Sequence, residues 1–552
     1  MGETLNAAPA RVRLWLVGLL VAGALLGEFL AFDRATSQHH AWVYPRWNDQ
    51  IQYLTEAYTG YEHLREVGVA RGLWDALVNP SAQGTLHDFG AITIFLFAGP
   101  SRSAALALNM LAFVAWQAAL ALAVWRRSRS LAFTVLAAAL PLALAGPWLV
   151  RPGTAIDFRL DHLAVCAFGV LSAALLASDG FRSRRGSLAF GAACALALLT
   201  RFLTGTYLVL VFVGLFVWLV RQPDRRTRLA HLLFSAALAA ALAAPIFWIN
   251  RDWVWNYYVV GHFIGPESAL RSPHLGLLDS VRFVFGHWAD WHARASFGLA
   301  ALGLAAFAAA VRLLPRKADA APAAIAREWL GLGALLFFAP AVVLVFHSQK
   351  SEVVLGILNP GAVLALLGLV RWAAPGPRAL AVAAGAALLF GGTSFMLALR
   401  AGANDPGFAA DARRAATIAD QLYEASRCAG LNRPNIATDE ITDYLDAQIL
   451  RVVCYERHRR WVQFEMKLPT GIAAEADDVI VRRLRESDFV FLTESGSRSQ
   501  WPYDEQMRRL HPQLTVIAAR ELERAADYEL FGRKVVLYCR RGITLAAPAQ
   551  QR

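Results

Sequence analysis

Up to about residue 400 the chain is a succession of apolar runs, separated by short Arg-rich breaks. Backbone groups find no water in lipid, so such a run is stable there as an α-helix, and about 20 residues cross a hydrocarbon core of about 30 Å. Composition agrees: of 552 residues 57% are hydrophobic and 17% charged, against about 25% charged in an average soluble domain. A soluble multidomain enzyme is excluded. Five cysteines in this length exclude a disulfide-stapled secreted scaffold. The formal charge of +12, from 54 Lys+Arg against 42 Asp+Glu, sits in the breaks. A nucleic-acid face would gather it on one soluble surface among aromatics, so no nucleic-acid partner is expected.

Eleven spans are read near 14–32, 104–125, 131–150, 155–178, 188–200, 203–220, 229–249, 296–314, 328–346, 352–370 and 379–399. The stretch 91–98 is too short to cross alone and reads as re-entrant or interfacial. The first run follows Arg11 and Arg13 like a signal peptide. It is too long for one and no small-x-small site follows, so it reads as an uncleaved anchor. With the N-terminus inside, alternate breaks carry Arg126, Arg127 and Arg129; Arg182, Arg184 and Arg185; Arg221, Arg225, Arg226 and Arg228; Arg312, Arg316 and Lys317; and Arg371 and Arg378. The opposite short loops hold little more than Arg151, Arg201 and Lys350, as the positive-inside rule requires. The segments 33–103 and 250–295 and the tail then face outward.

The expected division is a transmembrane module over 1–400 and a small α/β domain over 401–552. The tail reads as helix 409–428, strand 435–438, helix 441–450, strand 488–493, helix 503–510, strand 514–518 and a hairpin through 528–539. Its three cysteines, Cys428, Cys454 and Cys539, allow one bridge and one spare thiol, with the pair left open.

Ionisable residues converge on the outer side, where burying them is costly. Glu28 ends the first run; Asp157, Arg159, Asp161 and His162 open the fourth; Arg201 lies at the outer turn of 188–220; Lys350 and Glu352 separate the ninth and tenth. The outer loop adds Asp49 and His87-Asp88. Carboxylates and cations from several helices at one surface suit an anionic substrate. A transporter more often sets such groups at the midplane. The plainer readings are a solvated loop carboxylate for Asp49, structural ion pairs for Arg159 with Asp157 or Asp161, and snorkelling cations for Arg201 and Lys350. His39, His40, His262, His274, His287 and His292 show no HExxH spacing, so no cofactor is expected, with a divalent metal the minor alternative. The aromatics of 253–258 read as an interfacial belt. There is no Walker loop, GxGxxG or GxSxG.

In order along about 12–400 the elements resemble those of the membrane GT-C glycosyltransferases of the protein O-mannosyltransferase and lipid A aminoarabinose transferase type. They are Trp47-Asn48-Asp49-Gln50; His87-Asp88-Phe89-Gly90 leading to Gly99-Pro100; Phe158-Arg159-Leu160-Asp161; Leu199-Thr200-Arg201; Pro245-Ile246-Phe247-Trp248 onward to His262; and Ser348-Gln349-Lys350-Ser351 before Asn359-Pro360. Two departures stand out. Asn48-Asp49 replaces a pair of acids, which weakens any metal-bridging role, and Asp88-Phe89 replaces a double proline.

The resemblance implies a polytopic α-helical GT-C fold with a periplasmic α/β domain, in a bacterial inner membrane. It implies inverting transfer of a sugar from a polyprenyl-phosphate carrier to a glycolipid, polysaccharide or protein acceptor, with membrane lipid around the carrier. Asp49 would be the base. Lys350 and Arg201, helped by Arg159, would neutralise the leaving phosphate, while Asp161, His87, Asp88 and His262 would line the substrate site. A lipid-linked-glycan flippase and a non-catalytic membrane subunit of a glycan assembly complex are the alternatives. The Arg alternation makes its own prediction about topology: alkaline phosphatase fused after residue 405 is active, and a fusion after Arg185 is inactive. The reverse pattern would move every candidate residue to the other side.

Overall fold

The computed structural model describes residues 10–40, 49–264, 275–313, 320–347, 350–373, 375–401, 406–439, 447–459, 465–466, 476–496 and 505–545. They form two compact units, one of 1–37, 63–97 and 103–402, the other of 38–62, 98–102 and 403–552.

The apolar runs of the first unit are helical: α1 (Ala10–Ala35), α5 (Arg102–Ser128), α6 (Leu131–Ala139), α7 (Leu160–Ala177), α8 (Arg184–Thr200), α9 (Thr204–Leu219), α10 (Arg225–Val254), α12 (Arg294–Leu313), α13 (Ala320–Phe346), α14 (Asn359–Ala373) and α15 (Pro377–Ala401). The first long loop is itself helical, with α2 (Asp49–Val67), α3 (Val69–Val78) and α4 (Leu86–Ala98), and the second contains α11 (Leu277–His287). Among the described residues seven helical stretches are long and apolar enough to cross a membrane: Arg102–Ser128, Leu160–Ala177, Arg225–His262, Leu277–Arg312, Ile325–Phe346, Glu352–Ala373 and Pro377–Ala401.

Burial separates centre from rim. The apolar window of α7 is 89% buried, that of Arg225–His262 only 28%. Outer helices turn large apolar side chains outward, among them Leu233 and Phe234 of α10, Leu302 of α12 and Leu389 of α15, as expected where the solvent is lipid. Trp148, fully buried, lies edge-on to Phe113 of α5 at 4.6 Å, Phe395 of α15 at 4.8 Å and Phe32 of α1 at 6.3 Å between ring centroids.

Two of the expected spans differ from expectation. The run 131–150 stays α-helical only to Ala139, then passes through tight turns at Leu140–Ala143 and Gly146–Trp148. Pro141 and Pro147 open these turns, because proline has no N–H to continue a helix. The run 155–178 becomes helical only at Leu160. Between them an irregular segment is tied down by Asn109 of α5, whose Nδ2 donates to the carbonyls of Ala155 at 3.1 Å and Asp157 at 3.0 Å. Buried irregular backbone needs such partners.

The second unit contains α16 (Pro406–Cys428), β1 (Asn435–Thr438), α17 (Ala447–His458), β2 (Glu465–Met466), α18 (Asp477–Glu486), β3 (Phe489–Thr493), α19 (Glu505–Glu521), β4 (Glu523–Leu530) and β5 (Arg533–Cys539). The sheet order is β2-β1-β3-β5-β4, with β2, β1 and β3 parallel and β5 antiparallel to β3 and β4. All five residues of β3 are buried, as a central strand covered on both faces requires. The expected strand 514–518 is instead the second half of α19. Met507, Leu510, Leu514, Ile517 and Ala518 recur at helical spacing and all enter the core, and the helix runs through Pro512 rather than stopping there. Part of the expected helix 441–450 lies outside the described residues, and α18 had not been anticipated. No bridge forms, since all five cysteines are free thiols, Cys428 exposed and the others buried.

The same unit takes in the start of α2. Tyr58 stacks on Tyr455 at 5.1 Å and donates to Glu456. Tyr455 donates to Glu62. Arg459 bonds the Pro100 carbonyl and Arg102 Nη2 donates to Gln50 Oε1 at 3.0 Å. Burial raises the Glu456 carboxyl above its ordinary range.

Helices α13 and α14 pack closely along their lengths. A Cβ on Gly361 would lie 2.4 Å from the Phe337 backbone nitrogen, so only glycine permits the approach. Gly361→Ala is expected to cost about 1–3 kcal/mol, read as a lowered thermal midpoint in detergent. Gly385→Ala, whose Cβ meets open space, is the control and leaves it unchanged.

Candidate active site

Three segments of the first unit meet at the start of its most buried helix. The first is 81–88, leading into α4. The second is 153–161, entering α7. The third is the α8–α9 turn at 199–204. The first and third exchange backbone bonds: Thr85 N–H donates to Leu199 O at 2.9 Å, and Phe202 N–H to Gln83 O at 2.7 Å. Gly84 permits this, because a Cβ there would lie 2.2 Å from the Thr200 carbonyl oxygen. Asn250 of α10 clamps the first segment, its Oδ1 accepting from Ser81 N–H at 2.6 Å. Beneath lies an apolar cluster of Leu199, Phe202, Ala243 and Ile246, with Leu86 and Tyr258 packed against it.

On this frame sit most of the residues singled out in the sequence. His87 and Asp88 occupy the first turn of α4, both buried, with Nδ1 and Oδ1 3.4 Å apart. The His87 ring lies 4.1 Å from that of Phe158. Asp157 is fully buried, pairs with Arg159 Nε at 2.9 Å, and accepts from Gly153 N–H at 2.6 Å. Arg159 is the residue that precedes α7, and Asp161 lies in its first turn, where a carboxylate favours the positive helix end. Asp161 forms an ion pair with Arg201, which ends α8. The Arg201 Nε is buried and has no acceptor among the described residues. Two cations and two carboxylates thus share one end of α7, each cation beside a carboxylate.

His262 is buried in the π-helical turns that continue α10, Trp255–Ile264, its ring 5.5 Å from that of His347 and 5.0 Å from that of Tyr257. Lys350 Nζ donates to the carbonyls of Leu344 at 3.1 Å, Val345 at 2.7 Å and His347 at 2.7 Å. These are the orphan acceptors at the end of α13, and a cation there also suits the helix dipole. Burial lowers the Lys350 ammonium pKa below its ordinary value. Asp49 is exposed and opens α2, within the second unit. Its neighbours 44–48, and 348–349 and His274, lie outside the described residues. Among the described residues no three His, Cys, Asp or Glu side chains gather as a metal site.

Sequence reasoning passed over Asn109, Asn250 and Gly84, which hold the site's backbone. Asn109 had a signal, a polar residue inside the apolar run 104–125, which marks a buried partner, whereas Asn250 ends its run beside Arg251 and Asp252 and did not stand out. Gly84 had none, because its close approach is to a chain segment more than 100 residues away.

No family model matches the chain, and no curated protein matches its sequence. Solved structures do match its fold. ArnT from Cupriavidus metallidurans in the apo state has a TM-score of 0.59 at 14% identity, covering 98% of this chain and 100% of that one. The same protein bound to undecaprenyl phosphate has a TM-score of 0.62 at 14% identity, covering 97% and 99%. The arabinofuranosyltransferase AftD from Mycobacteria has 0.47 at 14% identity, covering 96% of this chain and 40% of that one. The chain therefore has the GT-C type fold of ArnT over nearly its whole length.

The Lys350 geometry makes a prediction of its own. Lys350→Ala leaves three helix-end carbonyls without their charged donor, at about 1.5–3 kcal/mol for a hydrogen bond to a charged group. The expected result is a lowered thermal midpoint, with Lys350→Arg partly restoring it.

Proposed function

We propose that the protein is an inverting glycosyltransferase that moves a sugar from a polyprenyl-phosphate carrier to an acceptor hydroxyl at the outer face of a bacterial inner membrane. The observation that carries this is the gathering of Arg159 and Arg201 with Asp157 and Asp161 at the head of the most buried helix. It is supported by the near-full-length likeness to a structure with bound undecaprenyl phosphate. A polyprenyl phosphate keeps its chain in lipid and its headgroup at the surface, so its phosphate needs cations held at the ends of membrane helices.

In the proposed reaction the acceptor oxygen attacks the anomeric carbon as the bond from that carbon to the phosphate oxygen breaks. Polyprenyl phosphate leaves, and the acceptor proton passes to the Asp49 carboxylate. One displacement inverts the anomeric centre without a glycosyl-protein intermediate. Negative charge grows on the phosphate as it leaves, so a cation fixed there stabilises the transition state more than the bound donor. Arg201 is the leading candidate, because its Nε–H is buried and without an acceptor among the described residues. Arg159 supports it, and Lys350 both secures the end of α13 and adds positive charge. Asp161, His87, Asp88 and His262 would shape the site around headgroup and sugar. The acceptor is proposed to be a glycolipid, polysaccharide or protein.

With purified protein and a synthetic polyprenyl-phosphate sugar, Asp49→Asn is expected to lower the rate about 10²–10⁴-fold with donor binding retained. Arg201→Ala is expected to lower it about 10–100-fold and to change the donor dependence. Transfer in detergent, with no membrane to cross, separates an enzyme from a flippase. An Asp49→Asn variant keeping more than about a tenth of the rate removes Asp49 as base and leaves Asp88 the next candidate. Wild-type protein with no transfer to any acceptor class sinks the reading.

A further inference from the structure

A second group of charges lies at the other end of α8 from Arg201. That helix has 17 residues, so its ends are about 26 Å apart at 1.5 Å per residue. The turn from α7 into α8 carries Asp179, Gly180 and Phe181 at φ of 55°, 59° and 63°. Left-handed backbone at Asp and Phe is strained and persists only where surroundings impose it. Here Arg127, at the end of α5, forms an ion pair with Asp179 and lies 3.5 Å from Glu328 of α13. Arg182 lies 3.5 Å from Asp179, and His231 Nδ1 lies 2.8 Å from the Phe181 carbonyl oxygen.

Against this turn stands Arg228, in the first turns of α10 and 1% exposed. Its Nε and Nη2 are buried and meet no acceptor among the described residues. Asp224 and Glu328 act on it only through space, while Arg182 opposes it. A Cβ on Gly180 would lie 3.1 Å from the Trp218 ring and 3.6 Å from both Arg228 Nη1 and Glu328 Oε1, so the turn packs directly beside the guanidinium. Arg127 Nε and Arg371 Nε are likewise buried without an acceptor among the described residues. The Arg371 guanidinium lies 5.6 Å from the Trp329 ring centroid. The first turn of α10 adds its positive end, since Asp224 before it makes no side-chain cap.

A guanidinium does not shed its proton, so burial without an acceptor leaves a charge that needs an anion. Four guanidinium groups, Arg127 and Arg182 beside Asp179, and Arg228 and Arg371, stand with three carboxylates, Asp179, Asp224 and Glu328. The group carries one positive charge in excess, and a phosphodiester carries one negative charge. Its oxygens can accept from several divergent N–H groups at once, where a single carboxylate reaches fewer. We propose that Arg228, with Arg127, Arg182 and the uncapped start of α10, binds a phosphate group at the Arg-rich end of the bundle, separate from the sugar-transfer site. The headgroup of an anionic phospholipid and a free phosphate are the two sources of that chemistry.

The test uses the full chain in phosphatidylcholine nanodiscs, with phosphatidylglycerol added to one set and inorganic phosphate to another. Thermal midpoints are measured for wild type, Arg228→Gln and Arg182→Gln. The wild-type midpoint is expected to rise by a few degrees with one of the two probes, as for any ligand that binds only the folded state. Both variants are expected to lose that rise. Arg182, with half its side chain exposed, keeps the test open if Arg228→Gln does not fold. A rise with phosphatidylglycerol, abolished by the variants, identifies a lipid headgroup site. A rise with inorganic phosphate, abolished in the same way, identifies a free-phosphate site. No rise with either, or a rise the variants retain, overturns the proposal. Neither variant touches Asp49, Arg159 or Arg201, so loss of this site is distinguishable from loss of transfer.

Discussion

Charge taken out of water within a helical bundle must be matched on the spot, and that requirement organises this molecule. The irregular entry into α7 brings Asp157 and Arg159 together, and the α8–α9 turn brings Arg201 onto Asp161. Each pair leaves the low-dielectric interior close to neutral, which burial demands. The backbone around them follows from the same rule. Asp157 also accepts from Gly153 N–H, and Asn109 satisfies two carbonyls of a segment with no regular structure. Remove the pairing and this end of α7 would have to open to water.

The two ends of α8 show how one helix can serve two chemistries. At Arg201 a cation with a carboxylate beside it retains an N–H without an acceptor among the described residues. At Asp179–Phe181 the cations outnumber the carboxylates, and the turn is held in a conformation that isolated residues avoid. Under the proposed function, the first is where the departing carrier phosphate is stabilised. The second fits a standing anion that completes the fold. Lys350 lies between these extremes, because its ammonium closes a helix end as well as carrying charge.

The second unit follows ordinary α/β logic. A fully buried β3 sits at the centre of five strands, and amphipathic helices cover it. Within the same unit, Tyr58 and Glu62 of α2 engage Tyr455 and Glu456 of α17. The helix that opens with the proposed base is thereby anchored by buried aromatic and carboxyl groups rather than left as a solvated loop.

Sequence alone was enough for the helical runs, their Arg-rich breaks and the α/β tail, because length, period and charge placement are local properties that lipid makes decisive; the GT-C likeness came from the resemblance of short motifs, in order, to a known family. It also supplied Arg159, Asp161, Arg201 and His87, since an ionisable residue at the edge of an apolar run is conspicuous. It misread 514–518 as a strand, where Pro512 hid a helical spacing that only the packed core reveals. It ran 131–150 as one helix, although Pro141 and Pro147 break it. Which carboxylate pairs with which cation was settled by tertiary structure: Arg159 takes Asp157 and Arg201 takes Asp161, across about 40 residues in the second case. Glycine at 84 and 361, the carbonyl partners of Lys350 and the free state of all five thiols were decided there too. Each depends on the distance between segments far apart in the chain, a quantity that composition and periodicity do not contain.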